Sequence, residues 1–123
     1  MPPVVLVVDD AEEWRTMLRL ALGTLGDAKV VMAENAAAAL EAARREAVAV
    51  LVTDVGMPGM SGIELLDKLK AEGIWPARGA IVVSGEEAGA VEQAARARGA
   101  SFFSKPASMI EVKRAVERLL RDG

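Results

Sequence analysis

Two acids close one apolar run and a third closes another. Asp9 and Asp10 follow Val4 to Val8, and Asp54 follows the apolar stretch Val48 to Val52. If the two runs are neighbouring parallel strands, three carboxylates meet in one crevice at the C-terminal edge of a sheet, where open α/β folds place their ligands. Ser84 and Lys105 end two further strand-like runs and fall on the same edge. Three carboxylates in one pocket repel one another, and they stay ionised near neutral pH if a hard divalent cation sits among them. An all-oxygen donor set with room for water suits Mg²⁺ or Mn²⁺. Lys105 adds a second positive charge, so metal, ammonium and the Ser84 hydroxyl together make an anion site that phosphoryl oxygens fit. An aspartate facing such a group can act as nucleophile and form an acyl phosphate. The cation and Lys105 would neutralise charge developing on the phosphoryl oxygens, and Ser84 would hydrogen-bond one of them.

The elements that must position these groups follow from hydrophobic pattern and punctuation. Val4 to Val8 is an unbroken apolar run, which suits a strand covered on both faces. The spacing of Trp14, Met17, Leu18, Ala21, Leu22 and Leu25 predicts a helix over Glu12 to Leu25 with those residues on its buried face. A second strand is expected at Lys29 to Ala33, and Asn35 is a good cap for an alanine-rich helix over Ala36 to Glu46. A third strand spans Ala47 to Thr53. After the glycine- and proline-rich loop that follows Asp54, Ser61 caps a helix over Gly62 to Ala71, with Ile63, Leu65, Leu66 and Leu69 as its buried stripe. Gly79 to Ser84 is the fourth strand. The helix expected over Glu87 to Arg98 has only Ala90, Val91, Ala94 and Ala95 to bury, which makes it a candidate moving part. Ala100 to Ser104 is the fifth strand, and a last helix over Ser108 to Arg121 buries Ile110, Val112, Val116, Leu119 and Leu120. Strict alternation of strands and helices implies a doubly wound parallel sheet in a single domain over residues 1–123.

Composition removes several classes of function. The chain of 123 residues is 52% hydrophobic but only 3% aromatic, so aliphatic side chains and methionine must fill the core. Without cysteine or histidine it has no disulfide, no thiolate or imidazole metal site, and no histidine general base. A net charge of −3 gives no electrostatic footprint for nucleic acid. No apolar run approaches the roughly 20 residues of a membrane span. Met1-Pro2-Pro3 lacks the basic start of a signal peptide, so a cytoplasmic location and no membrane partner are expected.

Asp9-Asp10, then Asp54 with Met57-Pro58 and Gly62, then Ser84, then Lys105-Pro106 resemble, in this order, a bacterial response regulator receiver domain of two-component signalling and chemotaxis. The resemblance covers the whole chain. It implies a flavodoxin-like fold with five strands in the order 2-1-3-4-5 and five helices. It implies that Asp54 is the phospho-acceptor and that Asp10, Asp54 and the backbone carbonyl of Gly56 bind Mg²⁺ directly, with Asp9 acting mainly through water. Lys105 and Ser84 would contact the phosphoryl group. Ser84 and an aromatic ring would form the switch, and the peptide before Pro106 would be cis. The phosphoryl donor would be a histidine kinase or a histidine phosphotransfer protein. The response would be a changed surface on the fourth helix, fifth strand and fifth helix, read by a downstream protein and not by nucleic acid. Three departures stand out. Serine replaces the commoner threonine at Ser84. The segment Gly99 to Lys105 is one residue short, which leaves Phe102 or Phe103 as the switch ring. Gly56 lacks the side chain that would shield an acyl phosphate from water.

Other readings compete. Asp9-Asp10 can be a helix cap, Lys105 a solvated lysine, Trp14 a core or rim residue, and Ser84 a cap. An aspartyl-phosphate phosphatase would share the metal chemistry, but such enzymes carry their nucleophile after the first strand with a second Asp two residues on, and Ala11-Glu12 follow the acidic pair here. A receiver-like binding module that works without phosphorylation is the third reading. In the receiver reading the chain is not an enzyme on external substrates and catalyses only its own phosphorylation and dephosphorylation. Arg98, Glu111 and Arg114 are charges that could pair across a dimer face.

Overall fold

The computed structural model describes residues 2–85, 88–105 and 109–122. Five parallel strands alternate with five helices: β1 (Val4–Val8), α1 (Glu12–Leu22), β2 (Lys29–Ala33), α2 (Ala36–Arg45), β3 (Val48–Thr53), α3 (Gly62–Ala71), β4 (Gly79–Ser84), α4 (Ala88–Ala97), β5 (Ser101–Ser104) and α5 (Met109–Asp122). The sheet order is β2-β1-β3-β4-β5, as the resemblance implied.

Strand residues alternate between the two faces of a sheet, and here each face has its own core. Leu6, Val8, Leu51, Val82 and Phe102 face a core completed by α2, α3 and α4. Val5, Val7, Val50, Val52, Ile81 and Val83 face a second core completed by α1 and α5. That is why the central strands read as unbroken apolar runs: both sides of the pleat are dry.

Local sequence sets the helix ends. Asn35 accepts a hydrogen bond from the Ala38 N–H at 2.7 Å. At α3 the Ser61 hydroxyl accepts from the Glu64 N–H at 3.1 Å, while the Glu64 carboxylate accepts from the Ser61 N–H at 3.2 Å. This reciprocal pair anchors the helix start that follows the Asp54 loop.

Several helix faces differ from the expectation. The first helix ends at Leu22 and continues as a 3-10 turn over Gly23–Leu25. Leu18 and Leu22, one turn apart, define its inward line, so Met17 lies off that line and is 48% exposed. In α5 the inward line runs through Val112 and Val116; Ile110, about 200° round the helix from Val112, is 60% exposed. Ala90 is exposed, and among the described side chains α4 fully buries only Ala95. Arg98 donates to both carboxylate oxygens of Asp67, at 2.6 and 3.1 Å, an exposed pair that ties the end of α4 to α3.

Candidate functional site

Three backbone hydrogen bonds carry the parallel ladder one residue past the strand ends. The Asp9 N–H donates to the Ala33 carbonyl at 3.2 Å, the Asp54 N–H to the Val8 carbonyl at 3.0 Å, and the Lys105 N–H to the Ser84 carbonyl at 2.8 Å. The polar residues are therefore held in register by the sheet and not by a free loop. Asp9, Asp10 and Asp54 each offer an oxygen, and these oxygens all lie within 4.8 Å of one another. Asp9 and Asp54 are buried, while Asp10 is exposed.

Each buried carboxylate has one oxygen anchored to backbone. Asp9 Oδ1 accepts from the Ala11 N–H at 2.9 Å, and Asp54 Oδ1 accepts from the Val55 N–H at 2.7 Å. The other oxygens face the Lys105 ammonium, 3.0 Å from Asp9 Oδ2 and 3.6 Å from Asp54 Oδ2. Arg15 reinforces the corner by donating to the Asp9 carbonyl at 2.7 Å. Burial raises the Asp54 carboxyl above the usual carboxylate range. Lys105 and the Val55 N–H offset part of that rise, and the charges of Asp9 and Asp10 add to it.

One ammonium does not balance three carboxylates. The donor set is all oxygen, with one exposed acid at its mouth, and it fits a hard divalent cation of the Mg²⁺ class. Gly56, the expected carbonyl ligand, lies exposed on the loop leaving Asp54. Gly62 is packed so closely on the Asp54 backbone carbonyl that a Cβ there would overlap the oxygen, and its N–H donates to Val55 at 3.0 Å. The demand at Gly62 is for space and not for backbone freedom: the first residue of α3 rests on the Asp54 peptide itself.

Ser84 is fully buried at the end of β4. The register pairs Val82 with Phe102, Val83 with Phe103 and Ser84 with Ser104. Strand alternation therefore puts Ser84 on the same face as Val82 and Phe102. Phe102 is 9% exposed in the core beneath α4, while Phe103 packs on the opposite face against the α5 core. Pro106 lies outside the described residues.

One competing reading is corrected and one feature escaped the sequence. Asp9 accepts the Ala11 N–H, but Ala11 is itself the N-cap of α1 and no side chain caps that helix, so Asp9 belongs to the acidic cluster and is not a cap. Trp14, expected as a core or rim residue, places its ring centroid 4.8 Å from the Lys105 ammonium. Its place one turn after Asp10, on the helix leaving the acidic corner, was the available signal.

Among known proteins, the model of the response regulator receiver domain family matches residues 5–117. The Campylobacter jejuni chemotaxis protein CheY homolog is 34% identical, over 97% of this chain and 93% of its own length. The probable transcriptional regulatory protein TcrX of Mycobacterium tuberculosis is 35% identical over 98% of this chain, which spans only 50% of that relative. Among solved structures, FixJ-N superposes with a TM-score of 0.84 at 36% identity, covering 97% of this chain and 94% of its own.

Proposed function

Because this chain belongs to the response regulator receiver domain family of two-component systems, we propose that it is a phospho-accepting switch whose acceptor is Asp54. The observation that carries the reading is the Lys105 ammonium held between Asp9 and Asp54, inside a cluster of three acids. A bare structural ion pair has no use for the second and third carboxylates.

Asp54 Oδ1 is occupied by the Val55 N–H, which leaves Oδ2, on the Lys105 side, to attack phosphorus. The donor is a phosphohistidine on a histidine kinase or phosphotransfer protein, since this chain has no histidine. The new bond joins Oδ2 to phosphorus. The P–N bond breaks, and the imidazole nitrogen leaves with the electron pair and takes up a proton. Lys105 stabilises charge on the phosphoryl oxygens, and the Val55 N–H steadies the remaining carbonyl oxygen of the acyl phosphate. Asp9, Asp10, Asp54 and the Gly56 carbonyl would hold Mg²⁺ or Mn²⁺, which supplies further charge neutralisation at the phosphoryl oxygens. Water reaches the acyl phosphate past Gly56, so the chain catalyses its own dephosphorylation and turns over no external substrate.

Ser84 would then hydrogen-bond a phosphoryl oxygen, coupling the site to the face it shares with Phe102. Phe102 is preferred to Phe103 because only the former shares that face. Its ring is buried beneath α4 in the unphosphorylated chain, and phosphorylation would act by shifting the balance between ring positions. The responding surface is α4, β5 and α5, where Ile110 is exposed and Phe103, Glu111, Arg114 and Arg118 line a hollow of about 220 Å³. A downstream protein would read it, in the cytoplasm, with residues 1–123 acting as one receiver domain.

Intact mass after incubation with acetyl phosphate tests this reading. Wild type should gain one phosphoryl group only when Mg²⁺ is present, and Asp54→Asn should gain none. Wild type that binds Mg²⁺ but gains nothing overturns the acceptor assignment and leaves a binding module read without phosphate.

A further inference from the structure

Trp14 brings an aromatic side chain to the acidic site, and the phosphotransfer chemistry above makes no use of it. It lies half-buried on the first turn of α1, and its ring centroid is 4.8 Å from the Lys105 ammonium. That ammonium thus has partners from three directions: Asp9 at the end of β1, Asp54 at the end of β3, and the Trp14 ring from α1. Lysine is a compact charge on a flexible stem, and the stem of Lys105 leaves the chain one residue beyond the last β4–β5 register pair, Ser84 with Ser104. Where the ammonium rests is decided by its partners, and the indole face is the strongest aromatic partner for a cation.

The ring differs from the carboxylates in one respect that bears on function. An ammonium turning toward phosphoryl oxygens must exchange its contacts with Asp9 Oδ2 and Asp54 Oδ2. A ring face attracts the charge through its quadrupole, without claiming a particular N–H. The ring contact can therefore persist while the oxygens are exchanged. We propose that Trp14 is a positioning residue for Lys105, its indole face keeping the ammonium at the edge shared by Asp9 and Asp54 before and during phosphoryl transfer. The functional half of this rests on the acceptor reading; the Trp14–Lys105 contact does not.

The test compares Trp14→Leu and Trp14→Phe with wild type, after urea unfolding has established that each is folded. Side-chain NMR reads the contact itself. The Lys105 ε-methylene protons should be shifted upfield by the ring current in wild type, keep much of that shift in Trp14→Phe, and lose it in Trp14→Leu. Initial rates of phosphoryl gain from acetyl phosphate with Mg²⁺ read the consequence. Trp14→Leu should be slower by about three- to tenfold, the range a partly shielded cation–π contact supplies, and Trp14→Phe should stay close to wild type. In a Lys105→Met background the Leu substitution should have no further effect. Equal rates for wild type and Trp14→Leu, or the same slowing with and without Lys105, would show that Trp14 only fills space and overturn the proposal. Wild type that takes up no phosphoryl group defeats the acceptor reading separately. The ring-current shift then still decides, for or against, whether Trp14 holds Lys105.

Discussion

At Asp54 the protein holds a carboxylate where burial favours its protonated form. A group whose folded pKa is raised contributes stability that is fully present below the ordinary aspartate range and is lost as pH rises through the raised value. Asp54→Asn keeps an acceptor for the Val55 N–H and carries no charge. In chelator, the variant should therefore be more stable than wild type at neutral pH, and the gap should close as pH falls below the ordinary aspartate range. Urea unfolding across pH checks this; a wild type as stable as the variant at neutral pH would mean that Lys105 fully compensates the burial. Gly62 makes a sharper case. A methyl group there overlaps the Asp54 carbonyl, a backbone atom that cannot rotate away. Gly62→Ala should cost on the order of 3 kcal/mol, read from the urea midpoint, and should also slow acetyl phosphate labelling because the acceptor's peptide must shift.

Among the elements, α3 and α4 are held in opposite ways. The start of α3 is tied down by the Ser61–Glu64 pair and by Leu65, Leu66 and Leu69, all buried. Ser61→Ala should lower stability by about 1 kcal/mol, as loss of a helix cap usually does. By contrast α4 buries Ala95 and rests Val91 against the core. Its C-terminal end is tied to α3 by the exposed Arg98–Asp67 pair, which holds the Asp67 carboxyl below its usual range chiefly through the hydrogen bond from Arg98. Amides of α4 should exchange with solvent faster than those of α3. Asp67→Ala should speed exchange in α4 further while leaving α1 unchanged, at a global cost of no more than about 1 kcal/mol for so exposed a pair. An α4 as protected as α3 would remove it as the moving part of the switch.

For the molecule as a whole, a cation that binds the folded chain and not the unfolded one adds stability by mass action, about 2.7 kcal/mol at a hundredfold excess over its dissociation constant. Mg²⁺ should raise the thermal midpoint of wild type relative to chelator, and Asp10→Asn, exposed at the mouth of the site, should blunt that rise with little effect on the metal-free protein. An unchanged midpoint in wild type would take the metal out of the reading. The order of ten elements, the parallel sheet and the positions of Asp9, Asp10, Asp54, Ser84 and Lys105 at strand ends were all readable along the chain. Each of these follows from local physics: an apolar run needs a covered strand, an acid or a glycine ends it, and parallel strands bring their C-terminal ends to one edge. The rotation of each helix about its axis was not readable, which is why Met17 and Ile110 lie outside while Leu18 and Val112 lie inside. Nor was the ring of Trp14 over Lys105, or the contact of Gly62 with the Asp54 carbonyl. Those depend on the distance and angle between elements far apart in the chain, and such quantities exist only once both faces of the sheet are packed.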